Sequence, residues 1–247
     1  MEQITFERLV SSGCHFGHRT KRWNPKMEKY IFGKRNGIHI IDLRQTQEGL
    51  KRAYEATVRV AEEGKGILFV GTKKQAKDII KEEATKAQIF YVTERWLGGL
   101  LTNFDVLSQR ISRLREFERM KEDGRWTMVS KKELSRAERE YQKLHKYFVG
   151  IKDMDRLPGM VFVIDIKKDE TALREALRVN IPVAAIVDTN VDPTEIDYPI
   201  PANDDSIRSI SLVTQILANA VIEGRKGFEA EEKEAKEAYG SGEAEGT

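Results

Sequence analysis

The sequence predicts an α/β fold: a parallel five-stranded sheet of order 2-1-3-4-5, helices on both faces, and an inserted antiparallel helical hairpin. Residues 67–74 read ILFVGTKK, four apolar residues, a glycine turn and a threonine suited to cap a helix. The stretch 75–86 then carries Ala76, Ile79, Ile80 and Ala84 on one helical face. Two later runs, MVFVID at 160–165 and VAAIVD at 183–188, repeat the strand. Unbroken apolar strands belong in a parallel sheet covered on both sides, and a single topological switch gives the order.

Taken in order, Thr5–Ser12 reads as a short amphipathic helix capped by Thr5 and ended by Gly13. Cys14–Lys29 has no clear period and includes the turn signal Asn24-Pro25. Tyr30–Phe32 and Ile38–Ile41 flank Gly33–Gly37 as a β-hairpin. Asp42 to Glu63 is a helix with Leu50, Ala53, Tyr54, Val58 and Ala61 inward. The sheet strands follow at 67–70, 89–92, 161–165, 183–187 and 197–200. A helix at 170–179 and a long final helix from about 206, capped by the 203–206 run NDDS, complete the core.

Between the second and third strands the pattern changes. Leu107, Ile111, Leu114, Phe117 and Met120 form one stripe, and Leu134, Ala137, Tyr141, Leu144 and Phe148 a second, with Ser130 and Glu133 as a capping box between them. The spacing is that of a coiled-coil seam in a hairpin about 30 Å long. The expected organisation is therefore 1–43 as an N-terminal helix, basic loop and β-hairpin, 44–103 with 150–227 as the core, 104–149 as the hairpin, and 228–247 as an acidic disordered tail.

Net charge is only +2, but 228–247 carries −5, so the remainder carries +7 and leans toward a polyanionic partner. One cysteine, Cys14, excludes an internal disulfide and fits a reducing compartment. The first ten residues lack the apolar core of a signal peptide, and no apolar run has membrane-spanning length, so an intracellular protein without a membrane partner is expected.

The basic excess is concentrated. Arg19, Lys21, Arg22, Lys26, Lys29, Lys34 and Arg35 face a single acid, Glu28, within 19–35, with Trp23, Tyr30 and Phe32 interleaved. Cations that hold phosphates beside rings that stack or pack suit RNA. Lys73 and Lys74 stand where the first turn of a helix would begin, a place suited to an anion, and Arg95 lies at the same sheet edge. Arg110, Arg113, Arg136 and Lys143 fall outside the hairpin seam. Trp96 is expected to pack under Gly98-Gly99.

Enzyme chemistry finds little support. No Gly-x-Gly-x-x-Gly, P-loop, His-x-x-x-His or Cys-x-x-Cys occurs. The strand-end aspartates Asp42, Asp165 and Asp188 keep an alternative open, an α/β enzyme or nucleotide-binding switch; caps and loop contacts are their ordinary use. Cys14, His15 and His18 lack a distant second pair and read as packing, not zinc. His18, Asp188, Asp204 and Asp205 could converge at the sheet edge on a structural divalent ion; the reading adopted is no metal, no cofactor and no small-molecule substrate.

Several strings carry a resemblance: 13–18 (GCHFGH), 23–27 (WNPKM), 36–41 (NGIHII), 67–73 (ILFVGTK), 95–103 (RWLGGLLTN), Leu157-Pro158, Asp188-Thr189-Asn190 with Asp192-Pro193, and 203–209 (NDDSIRS). Together they resemble the bacterial small-subunit ribosomal protein two family over nearly the whole folded length. Cys14 stands at a hydrophobic position of that family, so no ligand role passes to it. The resemblance implies a flavodoxin-like core with an inserted coiled-coil hairpin. It also implies a structural, cytoplasmic ribosomal protein binding small-subunit rRNA on the solvent side, between head and body. Neighbouring ribosomal proteins, including the large mRNA-binding protein one, are the further partners it implies.

Overall fold

The computed structural model describes residues 4–127 and 130–242. Its centre is a parallel sheet of β4 (Ile67–Val70), β5 (Phe90–Val92), β6 (Met160–Val163), β7 (Val183–Val187) and β8 (Tyr198–Pro201), in the order β5-β4-β6-β7-β8. Counted within this sheet the order is 2-1-3-4-5, as expected, and the architecture is flavodoxin-like. All residues of β4, β6 and β7 are buried. The period-2 alternation of a strand explains why. Ile67, Phe69, Met160, Phe162, Ala184 and Ile186 share one core cluster, while Leu68, Val70, Val161, Val163, Ala185 and Val187 share another.

The first cluster is covered by α2 (Leu43–Glu62), α3 (Lys77–Lys86) and α7 (Ile207–Gly242). Here α2 and α7 approach closely because Gly224 has no side chain. A Cβ there would meet the Val58 carbonyl oxygen and stand 2.6 Å from Ala61 Cβ. The second cluster is covered by α6 (Glu170–Arg178) and by residues of α4 (Phe104–Glu122) and α5 (Lys131–Phe148). Ile111, Leu114, Phe117, Leu144 and Phe148 are buried, so the inserted helices share the core cluster of the sheet and do not stand wholly apart from it. Phe117 meets Tyr141 edge-on and Lys121 pairs with Glu138, which orders the two helices side by side. The Ser130–Glu133 capping box is present.

Before the core comes a small N-terminal module. Helix α1 (Phe6–Ser12) starts at Thr5, whose hydroxyl accepts from the Arg8 N–H, and ends at Gly13 with φ 76°. Three strands, β1 (Phe16–Arg19), β2 (Ile31–Arg35) and β3 (Ile38–Ile41), form an antiparallel sheet ordered β1-β3-β2. Asn36 and Gly37, with φ 50° and 74°, supply the two positive-φ positions of the hairpin turn between β2 and β3.

Three expectations need correction. The strand β1 has no counterpart in the sequence reading, because its four residues have no apolar alternation. Helix α3 begins at Lys77, later than the start directly after Thr72 and Lys73 that the sequence suggests; residues 73–76 form a turn, and Ala76 provides no side-chain cap. The acidic segment does not separate at 228 as an irregular tail: α7 continues to Gly242, and 243–247 lie outside the described residues. Ala, Glu and Lys are strong helix formers, and this propensity extends a helix already nucleated by buried apolar contacts.

Replacing Gly224 with Val should force α2 and α7 apart and lower stability by about 1–3 kcal/mol. Urea melts of the wild type and variant check this; equal midpoints would contradict the close packing.

Candidate nucleic-acid interface

At the carboxyl edge of the sheet several strand-end acids converge on one cation. The Lys73 ammonium lies 2.6 Å from Asp205, 2.9 Å from Asp204 and 3.3 Å from Asp165, and its side chain is only 12% exposed. Burial works against the charge, but these carboxylates outweigh it and hold the lysine charged well beyond its ordinary range. Next to it, His18 Nδ1 is 2.9 Å from Asp188 and Nε2 is 3.4 Å from Asp205. The Asp188 contact raises the His18 pKa, against burial. Asp204 is pushed up to about 7, first by burial and then by the nearby Asp188 charge.

This cluster decides two sequence expectations. Lys73 is not a free phosphate ligand; it is turned inward and engaged, and it does not open a helix. Thr72 likewise caps nothing: its N–H and hydroxyl both donate to buried Asp169. His18, Asp188 and Asp204 do come together, each offering a donor atom within 4.8 Å of the others. One imidazole and two carboxylates are a donor set a divalent ion accepts. The Lys73 ammonium already brings positive charge to Asp204 here. Cys14 and His15 play no part: the thiol contacts Ser12 and Ser209, and the His15 ring lies against Phe16.

The same edge fastens the N-terminal module. His18 N–H donates to Thr189 Oγ1 at 2.8 Å, and Asn24 N–H donates to the Thr189 carbonyl at 2.7 Å. Gly17 permits this approach, since a Cβ would lie 2.6 Å from Thr189 Cγ2. From that mount Arg19, Lys21, Arg22, Trp23, Lys34 and Arg35 are exposed. Lys26 is also exposed but pairs with Asp192 at 2.6 Å, and that contact, ahead of Thr194, depresses Asp192 to about 2.

Lys74 and Arg95 are exposed at the sheet edge. On the inserted helices, Arg110, Arg136 and Lys143 are exposed, while Arg113 pairs with Glu116 and Glu140 and lies over the Phe117 ring. The candidates therefore fall on three parts of the fold: the N-terminal module, the sheet edge to which it is fastened, and the inserted helices.

A match to the family model described as ribosomal protein S2 spans residues 9–224. The chain belongs to the ribosomal protein S2 family. Two curated relatives, each named small ribosomal subunit protein uS2, come from two strains of Treponema pallidum, one of them the Nichols strain. Each is 53% identical over 223 residues, covering 90% of this chain and 77% of the relative. The family is structural and non-enzymatic, which sets aside the enzyme alternative built on strand-end aspartates. Their contacts agree: Asp42 accepts the Arg44 N–H as a helix cap, Asp165 meets Lys73, and Asp188 meets His18.

One organising residue escaped the sequence reading. Buried Glu175 on α6 accepts from Trp96 Nε1 at 3.0 Å and from the backbone N–H groups of Gly99, Leu101 and Thr102. Burial would raise its pKa, but these donors outweigh it and hold the carboxylate below its ordinary range. Trp96 does pack at the Gly-Gly turn, as expected, with Glu175 as the anchor. A glutamate inside a helical heptad looks like any solvated charge, so no local signal marked it.

Glu175→Gln replaces one acceptor oxygen by a donor facing N–H groups and should cost about 2–4 kcal/mol. Thermal melts test this; a loss below a few tenths would show the turn is held by other contacts. His18 gives a pH signature. Its raised pKa means that the ion pair with Asp188 stabilises fully below about 6.5 and is lost as pH rises through the higher folded value. The stability difference between wild type and His18→Asn should therefore shrink as pH rises above about 6.5. A difference that stays constant from slightly acidic to alkaline pH would rule out this linkage.

Proposed function

We propose that the chain is a structural constituent of the small ribosomal subunit that binds small-subunit rRNA through its outward-facing cations. The carrying observation is the group Arg19, Lys21, Arg22, Lys34 and Arg35, all exposed and none in an ion pair among the described residues. They stand on a module tied to the core by hydrogen bonds from His18 and Asn24 to buried Thr189. Uncompensated positive charge on a firm mount is what phosphate contact requires. Lys74, Arg95, Arg110, Arg136 and Lys143 extend the positive surface. Lys26 and Arg113 join it only by giving up acidic partners, and Lys73 acts inside the fold. The relatives' name, small ribosomal subunit protein, supports the assignment.

A second observation favours protein neighbours as well. Phe6, Val10, Phe16 and Phe32 are exposed, Phe32 by 79%. Phe6, Val10 and Phe32 border a hollow of about 370 Å³ that also includes Ile40 and Leu43. Apolar surface of this kind fits a protein side chain and not a phosphate backbone. This surface is the one we assign to a neighbouring ribosomal protein, with the large mRNA-binding protein one as the partner the family resemblance implies.

Affinity for small-subunit rRNA should fall steeply with salt, with the log–log slope reduced by about 0.9 for each phosphate contact removed. Changing Arg19, Arg22 and Arg35 together to Glu should sharply reduce the fraction of protein sedimenting with small subunits. Normal incorporation of that triple variant would falsify the electrostatic reading.

A further inference from the structure

Trp23 follows the turn Thr20–Arg22 and is 37% exposed. Its indole lies over the imidazole of His39 on β3, with ring centroids 5.1 Å apart and planes at 36°. His39 is 9% exposed, and among the described residues neither of its ring nitrogens has a hydrogen-bond partner. At this separation and tilt the imidazole forms the wall against which the indole rests. Burial, and then the charge of Lys34, lower its pKa.

The backbone beside the indole is fixed. Asn24 N–H donates to Thr189 at 2.7 Å, and the Asn24 side chain accepts from the Lys26 N–H. Trp23 thus stands beside a hydrogen-bonded turn, lies against His39 and is still open to solvent. Lys21 and Arg22 precede it in the chain, and Lys34 opposes His39 across the β2–β3 pair. Phosphate contacts alone need no ring. An open indole among cations is the arrangement that takes an unstacked base, because every base offers a π face.

We propose that Trp23, backed by His39, is a stacking platform for one unpaired base of small-subunit rRNA, with Lys21, Arg22 and Lys34 holding the adjoining phosphates. This rests on the RNA-binding reading above and adds to it a specific place and a specific chemistry.

The test uses the full chain and purified small-subunit rRNA. With Trp96→Phe and Trp126→Phe, Trp23 is the sole indole, and its emission should be quenched when rRNA binds. In the otherwise unaltered chain, Trp23→Leu should weaken rRNA binding by about 5- to 150-fold, without changing the salt slope. Trp23→Phe, which keeps a ring over His39, should retain most of the affinity. Salt-dependent binding with Trp23→Leu equal to wild type, or with Trp23 emission unchanged, overturns the platform and leaves phosphate binding standing. Absence of rRNA binding by the wild type at low salt overturns both.

Discussion

Parallel strands all deliver their chain ends to one edge, and here three of those ends bring acids. Asp165 and Asp188 follow β6 and β7, and Asp204 and Asp205 lead from β8 into α7. Packed so closely, the carboxylates would repel one another strongly in a region of reduced water access. Lys73, following β4, supplies the opposing charge to three of them, and His18 pairs with Asp188 and Asp205. His18 belongs to the N-terminal module, so neutralising the edge also fastens that module. The placement of residues 19–35 depends on this contact and on the adjoining bonds to Thr189.

Positive charge in this protein thus has two uses, separated by direction. The inward cation, Lys73, meets the carboxylates of the cluster. Outward cations on the N-terminal module mostly do not. A surface lysine in an exposed ion pair contributes little to stability, so leaving such groups unpaired costs the fold almost nothing. The net charge of the body measures that surplus, and proximity to a polyanion is where it becomes useful.

The parts of this arrangement legible in the sequence are those set by local periodicity. The apolar strands, the α2 pattern and the Ser130–Glu133 box each announce themselves within a few residues, as does the β2–β3 hairpin, although β2 runs on to Arg35 and its turn is Asn36-Gly37, not the whole of 33–37. Lys73 did not: its partner Asp204 lies 131 positions away, and nothing local distinguishes an inward lysine from a solvated one. Glu175 was hidden in the same way, serving a turn more than seventy residues earlier. The start of α3 was misplaced because Thr72 satisfies the helix-cap rule while its hydroxyl is committed to Asp169. The acidic segment was misjudged for the opposite reason. Low apolar content suggested disorder, but a long helix already anchored by Ile210, Val213, Leu217 and Val221 extends readily through Ala, Glu and Lys.

Open α/β sheets ordinarily bind their ligands in the crevice beyond the carboxyl ends of the strands. In this chain that crevice is occupied by its own side chains. Lys73 stands among the acids, and Asp169 and Glu175 hold the loops above α6 and at the Gly98-Gly99 turn. The Thr72 amide donates to Asp169, so it is not left free for an outside anion. A site whose donors and acceptors are internally matched has little left to offer a substrate. The fold's usual ligand-binding edge has become an attachment point, and recognition moves outward to the elements fastened there. This is the physical sense in which an enzyme-like architecture serves a structural role: its chemistry is spent on holding surfaces in position.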